Sequence, residues 1–174
     1  MADTPQFLTL KRNRDLEGLE RRPWTRRVLL ALLGLVVVAG ALNVFGQHPQ
    51  TDTTEVDAAR FEVYSPTKVR SGLFFMSRFV IDAKEDIPEA TIVLDSGWLE
   101  GVTLNTVEPS PLGEASRDGD LAFELGHIPA GDQYRFYLHF QVNPTVFGRR
   151  DQDVALYDGE TLLARIDRTT TIFP

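Results

Sequence analysis

The clearest pattern in this sequence is a strict alternation of apolar and polar residues in its last third. Between Gln133 and Asn143 every second side chain is apolar. The apolar set is Tyr134, Phe136, Leu138, Phe140 and Val142. Successive side chains of a β-strand point to opposite faces, so this period of two predicts a strand with one buried face. Pro144 lacks an N–H donor and is expected to end it.

Further strands are predicted at intervals of roughly ten residues. The segments 120–125 and 89–95 alternate in the same way, whereas 72–81 is apolar on both faces, as expected of a central strand. Asp158-Gly159 lies between two apolar runs and is a strong signal for a two-residue hairpin turn, because glycine accepts a positive φ. Such short strands, about eight or nine in number, predict an antiparallel β-sandwich or a small barrel.

These predictions divide residues 48–174 into two parts. The segment 48–60 is polar and rich in turn residues, with neither a helical nor a strand period, and we interpret it as a stalk. The β-sandwich is predicted over residues 61–174, a length that suits one domain.

A different pattern occupies the N-terminal part, where residues 28–47 contain no charged side chain and consist mainly of Leu, Val and Ala. A bilayer core of about 30 Å requires about 20 helical residues, which this segment supplies. We therefore predict a single transmembrane helix over 28–47 that lies in the lipid bilayer. The alternative is a cleavable signal peptide, because Ala39-Gly40-Ala41 is a small-residue site of the type that follows such a segment.

The charges that flank this segment predict its orientation. Seven basic residues lie in the twenty positions before the span, whereas only Arg60 lies in the twenty after it. The seven are Lys11, Arg12, Arg14, Arg21, Arg22, Arg26 and Arg27. Because cytoplasmic flanks carry the excess of Lys and Arg, residues 1–27 are predicted to be a basic cytoplasmic tail. The protein is then a single-pass plasma-membrane protein with an extracytoplasmic C-terminal domain.

Composition excludes several classes of function. The 174 residues include no cysteine, which rules out disulfides, thiolate metal sites and cysteine nucleophiles. Residues 28–174 contain 21 acidic and 11 basic side chains, and this net charge of −10 disfavours nucleic acid as a partner.

One segment resembles a known family. The run from Leu121 to Gly131, LAFELGHIPAG, is similar to the L-x-[WF]-x-L-G-x-[IL]-x-A-G pattern of bacterial extracytoplasmic immunoglobulin-like domains. The resemblance implies an all-β, immunoglobulin-like antiparallel β-sandwich, which here follows the predicted N-terminal transmembrane helix, and it implies no activity. The whole chain resembles single-pass membrane proteins of high-GC Gram-positive bacteria that carry such a domain.

Motifs for catalysis, metals and cofactors are weak. Histidine occurs only at His48, His127 and His139, no serine lies in a G-x-S-x-G context, and no phosphate-binding glycine loop is present. Asp118-Gly119-Asp120 lacks the rest of a calcium loop and is interpreted as a polar turn. We therefore expect no catalytic residue, no metal, no cofactor, no small-molecule substrate and no enzymatic activity.

Two segments contain residue types that are enriched at protein interfaces. Phe147 is followed closely by Arg149 and Arg150 in a segment between predicted strands, and Trp98 follows a glycine turn. We predict these four residues as candidate partner contacts. Phe147 and Trp98 each have an alternative place in the core of the sandwich.

These observations favour a non-enzymatic, membrane-anchored interaction module, which acts as an accessory or assembly subunit of a membrane protein complex and has an integral-membrane protein as its partner. Two alternatives stay open. A cell-envelope protein that binds glycan or peptide would have an exposed aromatic patch. A hydrolase or metal protein using His127 or His139 would have a cleft with shifted pKa values.

Overall fold

The structure, a computed structural model, describes residues 22–174. The chain divides into two compact units at the boundary between Val44 and Phe45. In the described part, the first unit contains one helix, α1 (Arg22–Ala41), and the second contains the β-strands. The strands are β1 (Pro49–Glu55), β2 (Ala59–Pro66), β3 (Lys68–Arg70), β4 (Phe74–Ala83), β5 (Ile87–Leu94), β6 (Val102–Glu108), β7 (Gly113–Arg117), β8 (Asp120–Ile128), β9 (Gln133–Val142), β10 (Gly148–Asp151), β11 (Val154–Asp158), β12 (Thr161–Ile166) and β13 (Thr169–Phe173).

Helix α1 ends earlier than the predicted span of 28–47. Asn43 adopts a positive φ of 56°, and the N–H of Val44 donates to the carbonyl of Ala39 at 3.0 Å. With the bond from Asn43 N–H to the Gly40 carbonyl, this is the Schellman arrangement that closes a helix. The stretch Trp24–Ala41 is long and apolar enough to cross a membrane. Of the predicted tail 1–27, residues 1–21 lie outside the described part.

The strands of the second unit form an immunoglobulin-like β-sandwich. The first sheet has the antiparallel order β1-β2-β4-β9-β6, and the second has the antiparallel order β12-β11-β5-β8-β7. A short third sheet, β10-β13-β3, lies at one end and contains a parallel pair, β13 with β3. The predicted fold class is confirmed, with this parallel pair as an addition.

The core lies between the two larger sheets. Strand β9 buries Phe136, Leu138, Phe140 and Val142, as its alternation predicts. The ring of Phe123 on the second sheet lies 5.2 Å from the ring of Phe136 on the first, measured between centroids. Burial of aromatic and aliphatic side chains between the sheets is the main favourable contribution to folding.

The segment 48–60 belongs to the sandwich and is not a stalk. Strand β1 pairs with β2 along its whole length, from Pro49 opposite Pro66 to Glu55 opposite Arg60. Since β1 is an edge strand with little apolar burial, its sequence is polar and carries no hydrophobic alternation. The alternation of apolar and polar side chains that identifies a half-buried strand is therefore missing from β1, although its backbone is paired with β2 along its whole length.

The predicted hairpin near the C-terminus is present, with its turn shifted by one residue. Asp158 pairs with Thr161, so the two turn residues are Gly159 and Glu160, and Gly159 has a φ of +53°. Asp158 instead ends β11, where its Oδ1 accepts a hydrogen bond from the N–H of Glu89 at 2.9 Å. The glycine thus meets the positive φ that the turn requires, and the aspartate fastens the turn to β5.

Candidate interaction surface

Phe147 lies at the end of the loop that joins β9 to β10. A turn closes this loop, because the N–H of Val146 donates to the carbonyl of Asn143 at 3.1 Å. Gly148 faces Ile172 in the third sheet, so Phe147 lies one step further along, at the level of Phe173. Its side chain is exposed, and its role as a partner contact stays a prediction.

A second apolar turn, between β3 and β4, is fastened to the end of β9. The N–H of Gly72 donates to the carbonyl of Val142 at 3.0 Å, and the N–H of Val142 donates to the carbonyl of Leu73 at 3.0 Å. Gly72 has a φ of +76°, a conformation that suits glycine. Leu73 and Phe74, which follow it, are both exposed.

The chain enters the sandwich at the same end. The ring of Phe45 meets the ring of Phe173 edge-on at 6.5 Å between centroids, and Gln47 Nε2 donates to the carbonyl of Phe74 at 2.6 Å. Four large apolar side chains at this end are 40 to 67% exposed. We call them the apolar end: Phe45, Leu73, Phe74 and Phe147.

Basic side chains flank the apolar end. Lys68 and Arg70 lie on β3 and Arg149 lies on β10; all three are exposed. None of these three side chains makes a hydrogen bond or ion pair with any residue from 22 to 174. The strands of the third sheet contain four basic residues and one acidic residue, Asp151, in a sandwich whose total charge is −10. We call Lys68, Arg70 and Arg149 the basic flank.

Arg150, the other predicted contact in this segment, is engaged within the protein. Its Nη1 donates to the carbonyl of Arg149 at 2.8 Å, and its Nε lies 3.4 Å from the carboxylate of Glu100. The Arg150 side chain is only 20% exposed. The structure therefore separates the two arginines: Arg149 is accessible, and Arg150 is held against the loop before β6.

Trp98 is a core residue, and its prediction as an exposed anchor is overturned. It lies in a short 3-10 helix, Ser96–Trp98, and its ring contacts the rings of Phe79 at 5.7 Å and Phe140 at 5.4 Å. Its Nε1 donates to the carbonyl of Asp153 at 3.0 Å. The glycine turn before Trp98 directs the chain into the sandwich, so the indole is fully buried with its one polar atom satisfied.

The acidic side chains near Trp98 serve the local backbone. Asp95 accepts a hydrogen bond from the N–H of Gly97 at 2.5 Å, and Asp120 accepts one from the N–H of Ser96 at 3.1 Å. Burial raises the pKa of the Asp95 carboxyl, and the neighbouring carboxylates of Asp120, Asp153 and Asp151 add to the increase, while the Gly97 bond opposes it. These carboxylates fix the turn that carries Trp98 into the core.

The histidines that the metal or hydrolase alternative requires lie apart. His127 is on β8 of the second sheet, where Nε2 lies 2.7 Å from Oδ1 of the exposed Asp86. His139 is on β9 of the first sheet, and His48 bonds the carbonyl of Gly46 at 2.8 Å. Within residues 22–174 no group of three or more metal-ligating side chains converges.

A groove on the outer side of the second sheet was not predicted from the sequence. Strand β7 forms one wall and the β11–β12 turn another, with a volume of about 660 Å³ between them. Arg117 lies across it, 4.0 Å above the ring of Tyr157; it donates to the carbonyl of Gly159 at 2.9 Å and pairs with Glu160. Ala115, Ala122 and Gly126 also line the groove. Only the folded sheet brings these short segments together.

Comparison with protein-family models and with curated proteins gives no match. Among solved structures, the chain is similar to the CARDB domain of a protein from Pyrococcus furiosus, with a TM-score of 0.42 and 7% identity over 74% of this chain and 98% of that domain. The crystal structure of the same domain in complex with di-metal ions gives a TM-score of 0.38 and 10% identity, over 74% of this chain and 96% of that one.

A third similar structure is self-complemented MyfA, the major subunit of Myf fimbriae from Yersinia enterocolitica, with a TM-score of 0.31 and 12% identity over 73% of this chain and 99% of that one. These similarities concern the fold. An apolar N-terminal helix followed by a sandwich fits a membrane-anchored domain.

Proposed function

We propose that this protein is a non-enzymatic, single-pass plasma-membrane protein that acts as an accessory or assembly subunit of a membrane complex. Its N-terminus is cytoplasmic, its sandwich is extracytoplasmic, and its partner is an integral-membrane protein. The helix contributes the anchor, and the sandwich contributes exposed loops for contact.

The observation that carries this proposal is the direct continuity between the apolar helix and the folded sandwich. Helix α1 ends at Ala41, and Phe45 is already packed against Phe173 within the sandwich. Three residues therefore connect a membrane-length apolar helix to a rigid domain, and segment 48–60 adds no flexible spacer because β1 occupies most of it. Such a short connection limits how far the sandwich can lie from the membrane surface, where an integral-membrane partner would contact it.

The charges support the orientation. Arg26 and Arg27 close a basic stretch before the apolar segment, and the sandwich that follows is strongly acidic. Basic flanks stay on the cytoplasmic side. The acidic character of the sandwich also disfavours nucleic acid.

Topology is tested by labelling single cysteines, because the chain contains none of its own. Ala2→Cys and Ala130→Cys are treated with a membrane-impermeant maleimide on intact cells. We expect Ala130→Cys to react and Ala2→Cys to react only after lysis. The reverse pattern would contradict the orientation, and a mature protein that lacks residue 2 would replace the anchor with a signal peptide.

The partner is tested by purification of the full-length protein from native membranes in mild detergent. A variant whose residues 28–45 are replaced by an unrelated apolar span is the matched control. We expect an integral-membrane protein to co-purify stoichiometrically with the natural chain. Loss of that protein with the variant would assign the contact to the helix. Recovery of the protein without a partner would contradict the accessory-subunit role.

The groove beside β7 favours a second candidate function, binding of a cell-envelope glycan or peptide. It combines a guanidinium, carboxylates and small side chains, which together leave room for a polar ligand. Ala115 is exposed on its wall, so Ala115→Trp would fill the groove without altering the core. Loss of binding to purified cell wall in this variant alone would support the second function.

A further inference from the structure

We propose that the apolar end and the basic flank together contact the headgroup region of a bilayer that contains anionic lipid. This inference rests on the proposed function, because it takes α1 as the membrane span. It adds a second contact of the protein with the membrane, made by the sandwich itself.

Chain length brings this end to the membrane. Only Leu42, Asn43 and Val44 lie between the last residue of α1 and Phe45. A chain covers at most about 3.6 Å per residue, so Phe45 stays within about 14 Å of the helix end. The interfacial zone of a bilayer is several Å deep on each side. The end of the sandwich that contains Phe45 is therefore within reach of the headgroups whenever the helix spans.

The side chains at this end suit that environment. Phe45, Phe74 and Phe147 place aromatic rings on the surface, and Leu73 adds an aliphatic group next to Phe74. The transfer of water-exposed apolar side chains to the boundary between headgroups and acyl chains lowers the free energy of the system. Four of them come from three separate segments and meet at one end, fastened by the Gly72, Val142 and Gln47 hydrogen bonds.

The charges select anionic lipid as the occupant. Lys68, Arg70 and Arg149 are exposed and unpaired within residues 22–174, in a sandwich that has nearly twice as many acidic as basic residues. An acidic domain is repelled by an anionic bilayer unless its basic residues face the lipid. Each basic residue near such a surface contributes about a fivefold preference for binding. A protein partner at this end is the competing occupant.

The test measures the environment of single side chains in the full-length protein. Phe74→Cys and Phe147→Cys each keep the other three apolar residues, and Ala130→Cys in the β8–β9 turn is the control. Strand β9 separates that turn from the apolar end by ten residues, about 33 Å. Each variant is spin-labelled and reconstituted in nanodiscs of phosphatidylcholine alone or of phosphatidylcholine with phosphatidylglycerol in equal parts.

We expect the labels at positions 74 and 147 to be accessible to oxygen and protected from an aqueous nickel complex in the anionic nanodiscs, and to be less protected in the neutral ones. The Ala130→Cys label stays aqueous in both. Aqueous labels at 74 and 147 in both lipid compositions would overturn the proposal. Equal protection in both compositions would also overturn it, because the contact would then not depend on anionic lipid.

Charge reversal separates lipid from protein contact. Arg70→Glu with Arg149→Glu is expected to abolish the difference between the two lipid compositions, whereas Arg135→Glu, an exposed and unpaired arginine on β9, leaves it intact. If protection at 74 and 147 appears only after a native membrane protein is added, the occupant is that protein and the lipid proposal fails.

A label at Val36→Cys distinguishes this failure from failure of the proposed function. Val36 lies within the apolar stretch of α1. A lipid environment at Val36 with aqueous labels at 74 and 147 rejects only the inference about the sandwich. An aqueous label at Val36 rejects the membrane span and the inference with it.

Discussion

The guanidinium of Arg168 is buried and donates its Nε–H to Oδ2 of Asp52 at 2.9 Å. This pair joins β1, the first strand, to the link between β12 and β13 near the C-terminus. The Nη2 of Arg168 also donates to the carbonyl of Ser65 at 3.0 Å. Burial lowers the pKa of Arg168, and the charge of Asp52 and its hydrogen bond oppose the decrease. The edge strand β1 is thus held in the sandwich by an ion pair as well as by its ladder.

Asp52→Ala is expected to destabilise the sandwich by about 3 kcal/mol, because it leaves a buried guanidinium without its counter-charge. The measurement is urea denaturation of the detergent-solubilised protein. Asp57→Ala, at an exposed acidic position just after β1, is the control and should change stability by less than about 0.5 kcal/mol. Equal effects of the two substitutions would show that the pair does not hold β1.

Trp98 offers a direct test of a core role against a surface role. Its indole is fully buried between Phe79 and Phe140, so Trp98→Ala is expected to cost about 3 to 5 kcal/mol of folding free energy. Trp98→Phe keeps most of the volume but loses the bond to the Asp153 carbonyl, and it should cost less. Denaturation curves for both variants measure the loss of folding free energy. An unchanged midpoint for Trp98→Ala would contradict a core position of the indole.

The hairpin turn between β11 and β12 depends on a glycine. Gly159 has a φ of +53°, and a β-branched residue in that conformation is strained by about 1 to 2 kcal/mol. Gly159→Val should therefore lower the melting temperature of the sandwich, whereas Thr161→Val in the adjacent strand should leave it nearly unchanged. Differential scanning calorimetry measures both. Equal melting temperatures for Gly159→Val and the natural chain would mean that the turn has another geometry.

The sequence predicted those elements whose side chains alternate between core and solvent. Strand β9 shows this best, because one of its faces is buried along most of its length. Strand β1 escaped prediction because its pairing uses the backbone and its side chains are polar. The sequence leaves Trp98 open between a surface and a core position, because a glycine turn looks the same whether the next residue points outward or into the core.

The apolar end could not be predicted for a different reason. Residues 45, 73, 74 and 147 belong to three segments that are far apart in sequence, and only strand order and register bring them together. Alternation within 72–81 assigns Phe74 to a face of its strand. It does not show that this is the outer face, away from the core, or that Phe74 begins the strand at the end of the sheet.

Asp95 makes the stability of the sandwich depend on pH. Its pKa is raised in the folded state, chiefly by burial, so the charged carboxylate opposes folding at neutral pH and protonation relieves this as pH falls through the folded pKa. Asp95→Asn keeps an oxygen that can accept the Gly97 hydrogen bond and removes the charge. We expect a higher melting temperature than the natural chain at pH 7 and a smaller difference at about pH 4. For the Asp57→Asn control, the difference in melting temperature from the natural chain should not change with pH. A rise in melting temperature for Asp95→Asn that is the same at both pH values would contradict burial of the charged carboxylate as the cause.

Substitutions at two adjacent phenylalanines of β4 distinguish a residue available for surface contact from a residue needed for folding. Phe74 is 63% exposed at the start of β4, while Phe75 is 5% exposed and stacks on Phe140 at 5.1 Å between centroids. Phe75→Ser removes a core ring and should cost at least about 3 kcal/mol of folding free energy. Phe74→Ser should change stability by less than about 0.5 kcal/mol, since its ring contributes little to the core. If urea denaturation instead shows equal losses, Phe74 supports the fold. If only Phe75→Ser destabilises the sandwich, the ring of Phe74 is available for contact with a surface outside the domain.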